Sequence, residues 1–531
     1  MILVLVWVAV LIAVAVLYLR QVYSRFSRYG VKQFRPVPIL GNMTRILLKQ
    51  DHFVDDTMRY YNSFPEERFV GKFEFIKELV VIRDIELVKK IAVKDFEHFL
   101  DHRSMFSSSD SFFSRNLFSL KGQEWKDMRS TLSPAFTSSK MRMMVPFMVE
   151  VGDQMMAAIK NKIKESGNGY IDIECKDLTT RYANDVIASC AFGLKVDSHN
   201  ETDNEFYTMG KLSSTFNFRQ MLVFFFIANA PTVAKILKLD FLSEAAKKFF
   251  RNLVLDTMKN RELNHIIRPD MIHLLMEAKK GKLTHEEIKS NAVTAGFATV
   301  EESAVGQKEI TRVWTDEDLI AQAVLFFIAG FETVSSGMSF LLYELAVNPD
   351  VQERLAQEIK ENDAKNGGKF DFNSIQNLQY MDMVVSELLR LWPPGAALDR
   401  ICTKDYNLGK PNDKAKHDFI VRKGTGISIP AFAFHRDPQF FPNPEKFDPE
   451  RFSEENKHNI QSFAYMPFGI GPRNCIGSRF ALCEMKVMAY QILQHMEVSP
   501  CERTCIPAKL DTETFNMRLK GGHWLRFRPR Q

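Results

Sequence analysis

The hydrophobic positions of this chain recur mostly with the period of an α-helix. Short pieces alternate as strands do, namely Lys72–Phe75, Leu79–Arg83 and Gly426–Ile429. Pro349 and Pro393-Pro394 stand where helical patterns stop. The sequence has no internal repeat and no regular alternation of strands with helices, which excludes a pure βαβ sheet. The pattern predicts a mainly α protein with a smaller β region.

An unbroken apolar run opens the chain. Residues Met1–Leu19 include no charged side chain, and Arg20 ends the run. At a helical rise of about 1.5 Å per residue the run spans about 28 Å, which is enough for a thin bilayer. Further basic residues follow Arg20, so the positive-inside rule places the C-terminal side in the cytoplasm. We therefore expect a transmembrane anchor over residues 1–19.

A cleaved signal peptide is the alternative interpretation of this run. It would require a basic stretch before the apolar residues and a small-residue cleavage site. No basic residue precedes the run, and the apolar residues continue past the nominal site Ala13-Val14-Ala15. After the anchor, residues 20–50 are expected to form a basic, proline-rich hinge, in which Pro36-Val37-Pro38 is a stiff, extended spacer. The remaining residues, 51–531, form the main domain.

Charge and cysteine content exclude several classes of protein. Seven of the basic residues and none of the acidic ones precede Asp51, so 63 basic and 65 acidic residues remain in the body. A body that is nearly neutral gives no reason to expect nucleic-acid binding. The chain has seven cysteines and no Cys-x-x-Cys spacing. This argues against a disulfide framework or a zinc ribbon and fits a reducing compartment.

A long helix is predicted to begin at Thr315. The sequence Thr315-Asp-Glu-Asp318 is a variant of the capping box, and the apolar run that follows ends at Asn348-Pro349. Its middle contains Ala329-Gly-Phe-Glu-Thr333. A glycine inside a helix costs about 1 kcal/mol relative to alanine, and polar groups in an apolar helix require a reason. One reason is a kink, with Thr333 bonded back to a carbonyl and Glu332 at a solvent gap. The other is a functional site.

Cys475 lies in the loop Phe468-Gly-Ile-Gly-Pro-Arg-Asn-Cys-Ile-Gly477, directly before a strong helical pattern. The free N–H groups and the dipole at a helix start favour the thiolate form, as does Arg473 two residues earlier. A thiolate can act as a nucleophile or bind a soft metal. The simpler alternative is a buried free cysteine, which we expect Cys483 on the same helix to be.

The whole loop resembles the haem-binding loop of the cytochromes P450, Phe-x-x-Gly-x-Arg-x-Cys-x-Gly, at every fixed position. The resemblance implies a cytochrome P450 fold preceded by one transmembrane helix, with residues 51–531 as a haem-thiolate monooxygenase domain. It implies haem b as the cofactor and the Cys475 thiolate as the axial iron ligand. Phe468, Arg473 and Gly477 would then contact the cofactor.

Other segments resemble further motifs of this family in the same order. Ala329–Thr333 is similar to the oxygen-binding groove, where the helix is locally widened, Thr333 would hydrogen-bond dioxygen and an ordered water, and Glu332 would help to supply protons. Glu387 and Arg390 resemble the Glu-x-x-Arg motif, which Arg451 of a Pro-Glu-Arg-Phe segment completes as a structural triad.

The resemblance also implies which residues bind the haem propionates. Trp125 and Arg129 stand one helical turn apart, and they join Arg400 and Arg473 as donors suited to a carboxylate. His102 or Arg103 would add another donor, with the register left open. For Trp125, simple core packing is the alternative.

Two phenylalanine-rich regions would roof the substrate pocket by the same resemblance. The first holds Phe106, Phe112, Phe113 and Phe118. The second runs from Met221 to Ile227, near Phe241, Phe249 and Phe250, and in this family it often touches the membrane. Such stripes are also ordinary core. The implied substrates are lipophilic small molecules that enter from the bilayer.

The implied reaction inserts one oxygen atom from O₂ into the substrate, by hydroxylation, epoxidation or dealkylation. By the resemblance, electrons would come from a membrane-bound NADPH-dependent cytochrome reductase, with cytochrome b5 as an optional second donor. The sequence holds no GxGxxG fingerprint, so the reductase is not fused. Four basic residues are candidates for docking an acidic partner, although a solvated surface is the plainer interpretation, namely Lys126, Lys140, Arg142 and Lys486.

The sequence is most similar to arthropod, xenobiotic-metabolising members of the branch that includes the animal drug-metabolising forms. The expected location is the endoplasmic reticulum membrane, with the catalytic domain in the cytoplasm. Three alternatives stay open. They are oxidation of an endogenous hormone or lipid, a haem-thiolate isomerase that needs no reductase, and a haem protein that senses gas or redox state. The Glu332-Thr333 pair argues against the last two.

Overall fold

The computed structural model describes residues 1–103, 114–214, 218–237, 239, 242–281, 296–306, 314–367 and 370–530. Among the phenylalanines named above, Phe106, Phe112, Phe113 and Phe241 lie outside the described residues. Helices make up most of this part of the chain, and the strands form three small sheets. The prediction of a mainly α fold with a smaller β region is confirmed.

The helices in the first half are α1 Ile2–Tyr23, α2 Arg25–Arg28, α3 Thr44–Leu47, α4 Phe53–Asn62, α5 Ile85–Lys89, α6 Gly122–Leu132, α7 Ser138–Ser166, α8 Cys175–Ile187, α9 Glu205–Ser214, α10 Phe218–Asn229, α11 Pro231–Ile236, α12 Glu244–Leu263 and α13 Met271–Lys279. The second half contains α14 Asp316–Val347, α15 Pro349–Asn366, α16 Phe372–Gln376, α17 Gln379–Leu391, α18 Ala431–Phe434 and α19 Ser478–His495. Short 3₁₀ and π turns extend several of these helices.

The strands are β1 Phe69–Glu74, β2 Lys77–Ile82, β3 Ile171–Glu174, β4 Leu398–Ile401, β5 Tyr406–Asn407, β6 Ile420–Val421, β7 Gly426–Ile429, β8 Met496–Pro500 and β9 Trp524–Pro529. The first sheet has the order β1-β2-β7-β4, the second β3-β9-β8, and β5 pairs with β6. Only β2 and β7 pair in parallel, with Val80 opposite Ile427, while Lys72 faces Leu79 across the antiparallel β1–β2 hairpin. All three strands that the sequence pattern predicts are present.

Helix α14 runs through the centre of the molecule and positions the rest. Its start is the predicted capping box, since the Thr315 hydroxyl accepts from Asp318 N–H at 3.2 Å and the Asp318 carboxylate accepts from Thr315 N–H at 2.9 Å. The helix ends at Asn348, before the proline that begins α15. It packs against α8 on one side and α19 on another, and α19 packs in turn against α7. Most of its apolar surface is therefore buried in protein.

Among the helices of the described residues, two are long and apolar enough to cross a membrane, α1 and α14. The buried α14 is a core helix. In contrast, α1 has no buried residue, and its hydrophobic side chains from Met1 to Tyr18 are largely exposed. The exposed length agrees with the predicted anchor, although the helix continues through Arg20 to Tyr23.

The residues after the anchor differ from the extended spacer that their prolines suggest. Val37 and Gly41 exchange backbone hydrogen bonds, so the segment turns back on itself. Phe26 is fully buried and packs so closely on β1 that a Cβ on Gly71 would come within 2.4 Å of its ring. The burial of this aromatic side chain explains why the segment is docked on the first sheet.

The predicted Glu-x-x-Arg triad is present near the C-terminal end of α17. Arg390 donates to both oxygens of Glu387 at 2.7 and 2.9 Å, and Arg451 lies 3.4 Å from the same carboxylate. The side chains of Glu387 and Arg390 are fully buried. Asp448 N–H also donates to Glu387 at 2.8 Å, which ties α17 to the loop before Arg451. The triad joins distant segments and does not reach the cavity described below.

Replacing Glu387 by glutamine should lower the free energy of unfolding by about 3–5 kcal/mol, because two buried arginine contacts lose their counter-charge. Chemical denaturation followed by circular dichroism measures the loss. The matched control is Glu454→Gln, whose partner Lys457 has the same i,i+3 spacing but whose side chain is 77% exposed. This control should lose less than about 1 kcal/mol. Equal losses would show that the buried triad does not stabilise the fold.

Candidate functional site

A cavity of about 440 Å³ lies between α14, the end of α8 and the loop that leads into α19. This volume is in the range of roughly 300–1,000 Å³ that small-molecule sites occupy. Most of the lining is apolar, and the polar groups gather at one edge. Every candidate cofactor residue of the sequence analysis lines it, namely Trp125, Arg129, Arg400, Phe468, Arg473, Cys475 and Gly477.

Cys475 is exposed to this cavity at the end of a tightly folded loop. Its backbone N–H donates to the Phe468 carbonyl at 2.8 Å, which closes the loop three residues before α19 begins. Gly471 has a left-handed φ of 71°, and a Cβ there would lie 1.9 Å from the carbonyl oxygen of Ala92. Only glycine fits that position, so the loop conformation depends on it. Cys483, by comparison, is a buried cysteine outside the cavity, as expected.

The protonation of Cys475 differs from the simple sequence expectation. Burial raises the pKa of the Cys475 thiol, although the backbone N–H of Gly477 and the positive charge of Arg129 act in the opposite direction. The helix start alone therefore does not make this thiol a thiolate. A metal cation at the sulfur would do so, because coordination removes the proton outright. The donor thus suits a metal centre better than a free nucleophile.

Buried guanidinium groups form a cationic rim at one edge of the cavity. Arg473 donates to the carbonyls of Leu100 and Leu120 at 2.8 Å each, and its guanidinium lies 4.0 Å from the centre of the Trp125 ring. Burial, with the nearby charge of Arg400, lowers the pKa of Arg473 to about 9. Arg400 donates one bond to Asp399 O at 2.7 Å, and its buried Nε has no partner among the described residues. Such a cluster fits a ligand with carboxylate groups.

The position of Trp125 is compatible with both of the roles weighed for it. It lines the cavity, and it is 1% exposed in the main hydrophobic core beneath Arg473. The structure also distinguishes between His102 and Arg103, the two residues between which the sequence left the choice open. His102 lines the cavity and its Nδ1 lies 2.9 Å from Asp399, whereas Arg103 turns away and pairs with Glu74. His102, and not Arg103, therefore lies at this edge of the cavity.

Thr333 lies on the cavity side of α14. Its hydroxyl donates to the carbonyl of Ala329 at 2.6 Å, one helical turn earlier. The helix is continuous across this stretch, so the local widening implied by the resemblance is not observed. The hydrogen bond of Thr333 to the carbonyl of Ala329 and a functional role are therefore compatible, because Thr333 also lines the cavity.

Glu332 does not line the cavity, in contrast to the expectation that it stands beside Thr333 there. Its carboxylate pairs with Lys176 at 3.2 Å and with Arg518 at 3.6 Å on the far side of the helix. Adjacent residues of a helix do not share a face, so only one of the two can point into the cavity. Burial lowers the pKa of Lys176 to about 8, while Glu332 opposes this shift.

The phenylalanine-rich roof is described only in part. Of the four phenylalanines in the first region only Phe118 is described, and it lines the cavity stacked on His102 at 4.3 Å. Phe250 packs behind the cavity, 4.8 Å from Phe327, and neither Phe249 nor Phe250 lines it. Phe136 and Phe326 also line the cavity, with ring centres 5.2 Å apart, although the sequence pattern does not predict them as site residues. No motif distinguishes them from core residues.

Two of the four basic residues considered for docking are already neutralised. Lys486 is buried and pairs with Asp382 at 3.0 Å. Lys126 binds the carboxylate of Glu97 at 2.7 and 2.9 Å. Arg142 remains exposed, with one hydrogen bond to Asn373. Steering of an acidic partner by this set is therefore weaker than the sequence indicates.

Comparison with known proteins identifies the family. The family model Cytochrome P450 matches residues 31–308 and 303–525. Cytochrome P450 9e2 of Blattella germanica is 44% identical over 512 residues, which cover 94% of this chain and 93% of that protein. Probable cytochrome P450 9f2 of Drosophila melanogaster is 41% identical over 513 residues, 94% of each chain. Cytochrome P450 6k1 of Blattella germanica is 36% identical over 528 residues, 98% of this chain and 96% of that one.

These relatives are insect proteins and match nearly the full length, so the similarity to arthropod members is confirmed. The fold, the thiol in the glycine-shaped loop and the cationic rim agree with the same family. The apolar helix α1 fits a membrane anchor. The chain belongs to the cytochrome P450 family and is a haem-thiolate monooxygenase, an oxidoreductase whose cofactor iron is ligated by a cysteine.

Proposed function

We propose that Cys475 is the axial ligand of the haem iron and that the cationic rim binds the haem propionates. The observation that carries this proposal is the position of the Cys475 thiol. It is exposed to an apolar cavity whose polar edge is formed by Arg129, Arg400 and Arg473. One soft donor on a wall and several guanidinium groups at one edge match a flat cofactor with a metal centre and carboxylate arms.

Bound haem supplies the activation of dioxygen and the transfer of one oxygen atom to the substrate, which thiolate ligation favours. The chain's own residues have other tasks. The Gly471 turn sets the height of the thiol, and Arg400 and Arg473 fix the orientation of the cofactor. The apolar side chains of Leu325, Phe326 and Val334 exclude water from the space beside α14.

Thr333 is the residue that we assign to proton control. Its hydroxyl can keep its proton on the Ala329 carbonyl or donate it into the cavity, where dioxygen binds. Glu332 is assigned to proton supply, although its carboxylate faces Lys176 and Arg518. Two adjacent groups, one oriented inward and one outward, suit a stepwise transfer from solvent.

Lipophilic small molecules are the substrates that this cavity supports. The residues that surround it are mainly Leu, Ile, Val, Met, Ala and Phe, and its charged groups are confined to the edge assigned to the propionates. An uncharged, apolar substrate therefore loses little hydration on entry. We infer hydroxylation, epoxidation or dealkylation of such molecules.

We infer that electrons come from a separate NADPH-dependent cytochrome reductase, with cytochrome b5 as an optional second donor. The chain has no dinucleotide-binding fingerprint, and a monooxygenase needs two electrons for each oxygen atom inserted. A haem-thiolate isomerase needs neither electrons nor a proton relay. The hydroxyl of Thr333 at the cavity wall supports the monooxygenase over that alternative.

Cys475→Ala is expected to abolish the thiolate-type carbon monoxide absorption band of the reduced protein, because residues 468–477 contain no other thiol. Absorption spectroscopy of the purified full-length protein measures this. The control is Cys483→Ala, since Cys483 is buried in the same helix region but lies outside the cavity. A thiolate band that survives in Cys475→Ala, or disappears in Cys483→Ala, would contradict the assignment.

Thr333→Ala should leave haem bound while more of the consumed NADPH appears as hydrogen peroxide, because proton delivery loses its hydroxyl. Glu332→Gln should slow turnover for want of a proton donor. The assay compares product, peroxide and NADPH with a purified reductase and a panel of lipophilic substrates.

Ser339→Ala is the matched control for this assay. Ser339 is another back-bonded hydroxyl of α14, 2.9 Å from the carbonyl of Ser336, but it does not line the cavity. Its variant should couple NADPH to product as the parent does. Unchanged coupling in Thr333→Ala would exclude the relay, and turnover without reductase would favour the isomerase.

The location that we propose is the endoplasmic reticulum membrane, with the catalytic domain on the cytoplasmic side. Exposed α1 supplies the anchor, and the basic residues that follow it favour the cytoplasm. In intact microsomes an added protease should therefore digest the catalytic domain and spare a tag at the N-terminus. Protection of the domain until detergent is added would reverse the proposed orientation.

A further inference from the structure

A segment between α13 and α14 lies against the outer side of the Cys475 loop. We call residues 296–306 the strap. None of its residues lines the cavity, yet it contacts both α6 and the loop that carries Cys475. A connection that packs on a functional loop is more than a spacer, because long connections without such a task are uncommon.

The first part of the strap is fixed on the first turn of α17 and on the neighbouring loops. Phe297 N–H donates to Asp382 Oδ2 at 2.8 Å. Its ring packs on Phe452 at 5.0 Å and on Tyr465 at 5.6 Å. At Gly296 a Cβ would lie 1.8 Å from the Asp382 carboxylate, so glycine permits the close approach. These contacts hold the strap in one position.

The second part of the strap clamps Arg129. Glu302 accepts from Arg129 Nε at 3.2 Å and from Nη2 at 2.8 Å, and Ser133 Oγ donates to the same carboxylate at 2.9 Å. The guanidinium also donates to the carbonyl and to the side-chain oxygen of Asn474, each at 2.8 Å. Asn474 Nδ2 then donates to the main-chain oxygen of Glu301 at 2.8 Å. The strap, Arg129 and the residue before Cys475 form one closed network.

Glu302 does not line the cavity, but its carboxylate lies next to Arg129 at the cavity edge. The Arg129 side chain is 4% exposed and that of Glu302 is 12% exposed, so water screens the pair little. Arg129 faces the cavity, while Arg400 and Arg473 have only distant carboxylates or carbonyl partners. Positive charge near a haem stabilises its reduced form, because reduction removes a positive charge from the iron. Neutralising Arg129 therefore acts against reduction.

We propose that Glu302 is a positioning residue of the haem site, which holds Arg129 on Asn474 beside the Cys475 loop and, by cancelling its charge, lowers the reduction potential of the bound haem. The inference rests on the proposed binding of haem at Cys475. It assigns the strap a role in tuning the cofactor from the side opposite to the substrate.

The test is a spectroelectrochemical titration of full-length, haem-loaded Glu302→Gln. Its haem reduction potential should shift to a more positive value than that of the parent, while the thiolate carbon monoxide band is retained. Glu301→Gln is the matched control. It removes the same charge one residue away, where the side chain is exposed and the network uses only the main-chain oxygen. Its shift should be smaller. Glu302→Asp keeps the charge and should stay near the parent value.

Equal shifts in Glu302→Gln and Glu301→Gln, or no shift in the first, would overturn the proposal. A second measurement does not depend on haem loading. Hydrogen exchange of the strap amides in the apo-protein should increase in Glu302→Gln and not in Glu301→Gln, because only the first opens the clamp on Arg129. Unchanged exchange would overturn the positioning role. Because the thiolate band reports Cys475 separately, failure of the haem assignment is distinguishable from failure of this inference.

Discussion

The burial of positive charge at one edge of the cavity is the constraint on which much of the surrounding structure depends. A guanidinium removed from water must find acceptors, or the fold loses several kcal/mol. Arg473 meets this requirement with the carbonyls of Leu100, Leu117 and Leu120. These bonds tie the Cys475 loop to a stretch more than 350 residues earlier in the chain. Arg129 meets it with Asn474 and Glu302, and thereby fixes α6 and the strap. The loops around the cavity are therefore arranged by the acceptors that the arginines need.

The geometry of α14 determines that the side chains of Glu332 and Thr333 face different surroundings. Successive side chains of a helix are about 100° apart, so a polar pair at adjacent positions cannot be buried on one face. Thr333 faces the cavity and satisfies its own proton on the Ala329 carbonyl. Glu332 faces α8 and the C-terminal region, where Lys176 and Arg518 stabilise its charge. Helix α14 thus carries an acid whose charge is stabilised outside the cavity. It also carries a hydroxyl whose proton is already hydrogen-bonded to a carbonyl of the same helix.

Features that depend on neighbours in sequence could be predicted, while features that depend on distant contacts could not. The capping box at Thr315 and the turn before Cys475 involve residues within a few positions of one another, so their patterns are visible in the sequence. The contact of Glu302 with Arg129 joins residues 173 positions apart, and nothing in the local pattern indicates it. The docked segment around Pro36 is a similar case. Its prolines indicate extension, but the burial of Phe26 against the first sheet decides its course.

The electrostatics of the Cys475 thiol and of the cationic rim explain why a metal cofactor with carboxylate arms fits this site so well. At the loop, burial raises the pKa of Cys475, so the protein alone disfavours the negative sulfur. At the rim, burial and Arg400 lower the pKa of Arg473 to about 9, so the protein alone disfavours the positive guanidinium. A cation at the sulfur and anions at the rim would reverse both effects. Haem carries its metal at the centre and its carboxylates at one edge, so a single ligand provides both counter-charges. Arg129 differs from Arg473 in its carboxylate partner, because Glu302 accepts from it at 3.2 and 2.8 Å, whereas Asp101 lies 3.7 Å from Arg473. The charge of Arg129 is therefore balanced from outside the cavity more closely than that of Arg473.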